Sequence, residues 1–123
     1  MIQIKDNVYW VGKKDWELRK FHGEELSTHR GSTYNSYLIK DKKTVLVDTV
    51  WTPYHRAFID NLEKNIDLKS IDLIVINHTE QDHSGSLPYL MEKIPETPIY
   101  CSKNGALLIK RHFHKEWKYC QNR

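Results

Sequence analysis

Six consecutive residues near the middle of the chain could carry chemistry: His78-Thr79-Glu80-Gln81-Asp82-His83. Four of the six belong to the residue types that bind metal ions. In extended backbone the side chains at i, i+2 and i+4 point to one side, so His78, Glu80 and Asp82 are expected to converge. A turn into a following helix would bring His83 back toward them. The pattern favours a metal site, and the alternative is a solvated loop in which a polar residue only caps the helix.

The ligand types narrow the choice of metal. The motif offers two imidazoles and two carboxylates, whereas a zinc site of this general kind would be richer in imidazole. Oxygen-rich mixed ligand sets suit harder, redox-capable ions such as iron or manganese. Four ligands within six residues are more than one ion needs from one loop. The motif therefore predicts a pair of ions, each sharing two of the four residues.

The elements around the motif predict an α/β layered fold. A branched apolar run, residues 71–76, predicts a strand covered on both sides. Metal-binding residues that follow such a strand and precede a helix lie where α/β sheets present ligand sites. The remaining predicted elements alternate in the same way. They are two short strands around an Asp-Asn turn at the start, an irregular segment over 15–28, strands at 33–39, 44–47 and 98–101, and helices at 53–65, from about 85, and at 103–112.

Composition excludes several classes of protein. The chain has 123 residues, 39% of them hydrophobic, and a formal net charge of +3, which is too weak and too dispersed to indicate nucleic-acid binding. No apolar run approaches the ~20 residues of a membrane span, and the start lacks a secretory segment. Cys101 and Cys120 have no C-x-x-C spacing and are expected to be reduced thiols. These features favour a cytoplasmic protein.

Motifs along most of the chain resemble the N-terminal part of the flavodiiron proteins, the A-type flavoprotein family that includes flavorubredoxin. The resemblance implies half of a metallo-β-lactamase-like αββα sandwich. Glu80 separates the chain from zinc hydrolases of that fold, which place a histidine at this position. The matching segments are Trp10-Val11-Gly12, Asp15-Trp16, Phe21-His22-Gly23, the stretch 30–39, Val47-Asp48-Thr49-Val50, the stretch 74–85 and the stretch 95–101.

The resemblance also implies a role for each site residue. His78 and Glu80 would bind one iron, and Asp82 the other, with His83 binding it or lying just outside. Asp48 would accept a hydrogen bond and orient a ligand, although it could equally be a turn residue at the end of its strand. His22 would line the substrate pocket, against the alternative of a structural loop histidine. The remaining aromatic candidates are interpreted as packing residues, namely Trp10, Trp16, Tyr34 and Tyr37. His112 and His114 are interpreted as residues of an exposed helix end.

The family pattern extends beyond what residues 1–123 contain. The C-terminal half of the metal domain, with its further iron ligands, and the flavodoxin-like domain that binds FMN are missing from this sequence. We therefore expect a partial diiron domain that cannot bind FMN. Each iron would keep about two protein ligands, so the isolated chain should bind iron poorly and be inactive. One sheet should also show uncovered apolar surface and an unpaired edge.

The implied parent activity is reduction of dioxygen to water, of nitric oxide to nitrous oxide, or of both at a non-haem diiron site. The resemblance further implies a rubredoxin-like electron donor, with a homodimer as a candidate assembly. Two alternatives stay open. One is a zinc-dependent hydrolase of the same fold, and the other is a non-enzymatic remnant that only binds a partner.

Overall fold

The computed structural model describes residues 1–16, 20–21, 26–27 and 31–121. Seven of its strands form one mixed sheet, in the order β1-β2-β7-β8-β9-β10-β11. The pairs from β1 to β8 are antiparallel, and those from β8 to β11 are parallel. The strands of this sheet are β1 Ile2–Lys5, β2 Val8–Trp10, β7 Tyr37–Lys40, β8 Thr44–Val47, β9 Leu73–Val75, β10 Ile99–Cys101 and β11 Tyr119–Gln121.

Two small antiparallel pairs lie outside the main sheet. They are β3 Lys13–Asp15 with β6 Ser32–Tyr34, and β4 Lys20–Phe21 with β5 Leu26–Ser27. The sequence analysis predicted an irregular segment over 15–28, and the short strands within it correct that prediction. His22 lies outside the described residues. The strand predicted over 33–39 is interrupted at Asn35-Ser36, so that β6 and β7 join different sheets.

The helices connect the parallel strands and cover one face of the sheet. They are α1 His55–Asn65, α2 Gln81–Ser84, α3 Leu87–Lys93 and α4 Lys103–Phe113. Thr52 does not cap α1, because it lies within a 3-10 turn, Thr52–Tyr54, that precedes the helix. Its hydroxyl instead donates to the Gly85 carbonyl oxygen at 3.1 Å. The chain also becomes helical at Gln81, earlier than the predicted start near Gly85.

The two faces of the main sheet differ in burial. Leu38, Leu46, Ile74 and Ile99 are cross-strand neighbours on the helix-covered face, and all four are completely buried. The alternate residues of the same strands, among them Val45, Val47, Leu73 and Val75, are only half-buried. The prediction that β9 is covered on both sides was therefore wrong for one side. Half-exposed apolar residues agree with the expected uncovered surface.

No helix in the described part of the chain is long and apolar enough to cross a membrane. Cys101 and Cys120 lie on adjacent strands as free thiols, Cys101 buried and Cys120 exposed. Trp16 corrects another expectation, because 64% of the residue is exposed rather than packed in the core.

Candidate metal centre

The motif lies at the carboxyl end of β9 and continues into the one-turn helix α2. His78 lies in the segment between β9 and α2, and Glu80 is the last residue before α2, in extended backbone. Asp82 and His83 lie within α2 itself, so the extended geometry expected for Asp82 was wrong. The helical turn brings His83 back toward His78, as anticipated, and their ring centroids are 5.0 Å apart in an edge-to-face arrangement.

The four candidate ligands form two imidazole–carboxylate pairs. His78 Nε2 is 3.4 Å from Glu80 Oε1, and His83 Nε2 is 3.4 Å from Asp82 Oδ2. Among the described residues, no three His, Cys, Asp or Glu side chains lie together as one metal-binding group. Each pair presents one nitrogen and one oxygen donor, a combination that suits iron, manganese and zinc. The donor set therefore fits two ions with two ligands each better than one ion with four.

Asp48 links the second pair to the core of the protein. It follows β8 and is 5% exposed. Its Oδ1 accepts a hydrogen bond from the Asn77 backbone N–H at 2.7 Å, and its Oδ2 is 3.1 Å from His83 Nδ1. A proton on Nδ1 would be donated to this carboxylate, leaving the Nε2 lone pair free on the side of Asp82. In this geometry the Asp48 carboxylate fixes the orientation of the His83 ring.

Burial controls the electrostatics of Asp48. Its desolvation raises the pKa of this carboxyl above the ordinary value, although the Asn77 hydrogen bond and the charge of His83 act in the opposite direction. The backbone of Asp48 is left-handed, with φ of 59°. Asp and Asn adopt this conformation more readily than most residues. Ser36 holds the turn, because its buried hydroxyl donates to the Asp48 carbonyl oxygen at 2.8 Å.

Several polar residues that the sequence analysis did not single out fasten α2 to the end of β8. The Thr49 backbone N–H and hydroxyl both donate to the His83 carbonyl oxygen at 2.7 Å. The hydroxyl of Ser86, which is completely buried, donates to the Val50 carbonyl oxygen at 2.8 Å. The available signal in the sequence was a threonine shortly after β8 and a serine just before α3. Their hydrogen bonds fix where His83 lies.

Gly85 permits the close approach of α2 to the 3-10 turn. A β-carbon there would lie 2.6 Å from Thr52 Oγ1 and 2.7 Å from the Thr52 backbone nitrogen. Any larger residue would push the turn away from the helix. Gly85, two residues after the motif, thus has a packing role that spacing alone did not reveal.

The histidines at the end of α4 are exposed and three of the aromatic candidates are packed, as the sequence analysis expected. His112 is exposed in the last turn of α4, and its Nε2 is 3.4 Å from Gln81 Nε2. His114 ends that helix in left-handed backbone and is also exposed. Tyr34 is packed in the core, and Tyr37 and Trp10 are half-buried.

Comparisons with known proteins agree with this fold. Residues 29–121 match the metallo-beta-lactamase superfamily. The anaerobic nitric oxide reductase flavorubredoxin of Aliivibrio fischeri is 56% identical over 119 residues, which are 96% of this chain and 24% of that protein. The chain therefore spans about a quarter of the length of this relative.

Two solved structures share the fold. The rubredoxin oxygen:oxidoreductase of Desulfovibrio gigas superposes with a TM-score of 0.89 at 40% identity, over 98% of this chain and 30% of that one. The flavodiiron protein of Giardia intestinalis gives a TM-score of 0.91 at 30% identity, over 99% of this chain and 30% of that one. The expected α/β fold of metallo-β-lactamase type is confirmed. The chain belongs to the metallo-beta-lactamase superfamily, and its sequence and fold match the N-terminal part of the diiron domain of flavodiiron proteins.

Proposed function

We propose that this chain is the part of a flavodiiron oxidoreductase that holds one side of a diiron site for reduction of nitric oxide, dioxygen or both. The observation that carries the proposal is the division of the motif into two separate donor pairs. His78 with Glu80 and His83 with Asp82 each bring a nitrogen within 3.4 Å of an oxygen. The 5.0 Å between the two imidazole rings keeps the pairs adjacent. The relatives described above, by name a nitric oxide reductase and an oxygen:oxidoreductase, support the choice of reaction.

The proposed role of this chain's residues is to bind and orient. His78 and Glu80 hold one ion, and Asp82 and His83 hold the other. Asp48 keeps the His83 Nδ1 proton in place, so that Nε2 faces the ion. When bound, a ferrous pair would supply electrons to a small diatomic gas at open coordination positions. The assignment of His22 to the substrate pocket stays a prediction.

The described residues provide two donors per ion, which is fewer than a stable iron site needs. We infer that the isolated chain binds iron weakly and does not turn over, and that residues 1–123 form only part of the diiron domain. FMN and the remaining ligands would come from outside this sequence. A rubredoxin-like donor, a homodimer and a cytoplasmic location belong to the same proposal.

Metal titration of the purified chain under anaerobic conditions tests the proposal. We expect weak binding of two Fe(II) ions per chain, followed by the change in the absorption spectrum. His83→Ala and Glu80→Gln should each lower the number of bound ions from two to one. Binding of a single Zn(II) in preference to Fe(II), together with esterase activity, would support the zinc hydrolase. Absence of any metal binding by folded chain would support the non-enzymatic alternative. Nitric oxide consumption comparable to that of a full-length relative would refute the inferred inactivity.

The Glu80→His variant provides a matched control for the choice of metal. It adds an imidazole at the position where zinc hydrolases of this fold carry one, without changing the neighbouring pair. Because zinc sites are rich in imidazole, the variant should gain Zn(II) affinity relative to Fe(II). The ratio of the two dissociation constants, measured by competition with a coloured chelator, reports the change. An unchanged ratio would argue against Glu80 as a ligand.

A further inference from the structure

A buried phenol–carboxylate pair lies outside the proposed ligand set. Tyr34 in β6 and Asp15 in β3 are each 3% exposed. The Tyr34 hydroxyl donates to Asp15 Oδ2 at 2.7 Å. The two strands are antiparallel neighbours, with Tyr34 opposite Lys13 and Asp15 opposite Ser32. A short bond of this kind to a carboxylate gives the phenolic proton a defined acceptor.

Tyr34 also belongs to an aromatic cluster that extends toward the surface. Its ring centroid is 6.0 Å from that of Trp51 and 5.9 Å from that of Tyr54, and the latter two are 6.3 Å apart. Trp51 and Tyr54 are half-buried, and Trp51 lines an open groove of about 820 Å³. The cluster thus joins a buried tyrosine to rings that solvent can reach.

The surroundings of Tyr34 favour the protonated phenol. Burial and the bond to Asp15 raise the pKa of Tyr34, and the charge of Asp82 acts in the same direction. A phenol in this setting stays protonated unless it loses an electron. Loss of an electron makes the phenolic proton strongly acidic, and Asp15 is already in position to receive it.

We propose that Tyr34 is a redox-active tyrosine that gives one electron to a strong one-electron oxidant while its phenolic proton moves to Asp15. The O–H bond of Tyr34 breaks and an O–H bond forms on Asp15 Oδ2. The products are a neutral tyrosyl radical, a protonated Asp15 and the oxidant reduced by one electron. Trp51 and Tyr54 provide a path of neighbouring rings along which an oxidant at the surface can take the electron from Tyr34. The inference rests on the proposed function only for the natural oxidant, which would be a dioxygen-derived species.

Flash oxidation of the metal-free chain tests the inference independently of iron. A photoexcited ruthenium(II) trisbipyridine complex loses one electron to persulfate, and the resulting ruthenium(III) complex oxidises the protein. Samples frozen after the flash are examined by electron paramagnetic resonance, with ring-deuterated tyrosine to identify tyrosyl radicals. We expect a persistent tyrosyl signal in the parent chain and its loss in Tyr34→Phe. Asp15→Asn should also lose it, because an amide accepts a proton poorly.

Tyr119→Phe is the matched control. Burial raises the pKa of Tyr119 to about 12, but its hydroxyl donates to the Lys115 carbonyl oxygen at 3.3 Å rather than to a carboxylate. This variant should retain the full signal. An unchanged signal in Tyr34→Phe, or in a folded Asp15→Asn, would overturn the inference. If Tyr34→Phe does not fold, site-specific replacement of Tyr34 by 3-fluorotyrosine decides instead, since the fluorine nucleus should split the radical signal and an unsplit signal would refute the proposal.

Discussion

The two donor pairs of the candidate metal centre differ in how firmly the protein holds them. His78 and Glu80 are each 50% exposed in their side chains, whereas those of His83 and Asp82 are 29% and 20% exposed. His83 also contacts Asp48, which is almost completely buried. The backbone of His83 is fastened by Thr49 as well. The pair His83 and Asp82 is therefore largely held in place by contacts within this chain. The pair His78 and Glu80 is more exposed and is held less firmly.

Breaking the contact between Asp48 and His83 should have the largest effect on metal binding. In Asp48→Asn, the amide oxygen can still accept from the Asn77 N–H. The amide nitrogen would then donate to His83 Nδ1 and force the imidazole proton onto Nε2. We expect Fe(II) affinity at this pair to fall about 10- to 100-fold, the range seen when such orienting partners are removed. Anaerobic calorimetry measures the change.

Asp72→Asn is the control for that experiment. Asp72 also accepts a backbone N–H between β8 and β9, from Thr44 at 2.8 Å, but it is exposed and lies away from the motif. This variant should leave Fe(II) affinity unchanged. Equal losses in the two variants would show that Asp48 acts through stability and not by orienting His83.

Removing the imidazole of each pair in turn should lower the stability of the metal-free chain by different amounts. His83→Ala takes a partner from the buried Asp48 carboxylate, which should lower the free energy of unfolding by about 1–3 kcal/mol. His78→Ala removes a half-exposed side chain and should change it by no more than about 0.5 kcal/mol. Urea denaturation of both variants measures the difference. Similar losses would mean that the two pairs are equally anchored.

The smallest expected effect is a dependence of stability on pH that comes from Asp48. Because burial raises the pKa of Asp48 above its unfolded value, its contribution to stability is fully present below the unfolded pKa. That contribution is lost as the pH rises through the folded pKa. The stability of the parent chain relative to Asp48→Asn should therefore decline as the pH increases from about 3.8. Urea denaturation of both chains at several pH values measures this difference in the free energy of unfolding. A difference that does not change with pH would show that burial does not raise the pKa of Asp48.

Local patterns predicted most of the elements that carry the site. Four elements lie close to their predicted positions, namely the Asp-Asn turn at the start, β8, β10 and α4. The sequence analysis missed β3 and β11, which are short, polar strands that form by pairing with β6 and β10. Pairing of this kind leaves no periodic signal in three residues. The interruption at Asn35-Ser36 was missed for the same reason, since Ser36 turns inward to hold Asp48.

By itself, the sequence determined the chemistry available to this protein. The spacing of His78, Glu80, Asp82 and His83 fixes which donors lie near one another, because neighbouring residues stay close in any backbone conformation. Tertiary structure decided how those donors are divided and which of them is anchored. Asp48 lies 35 residues from His83 in the chain, and only the parallel pairing of β8 with β9 brings the two together. Contacts between residues so far apart follow from how strands and helices pack, and no local pattern encodes them.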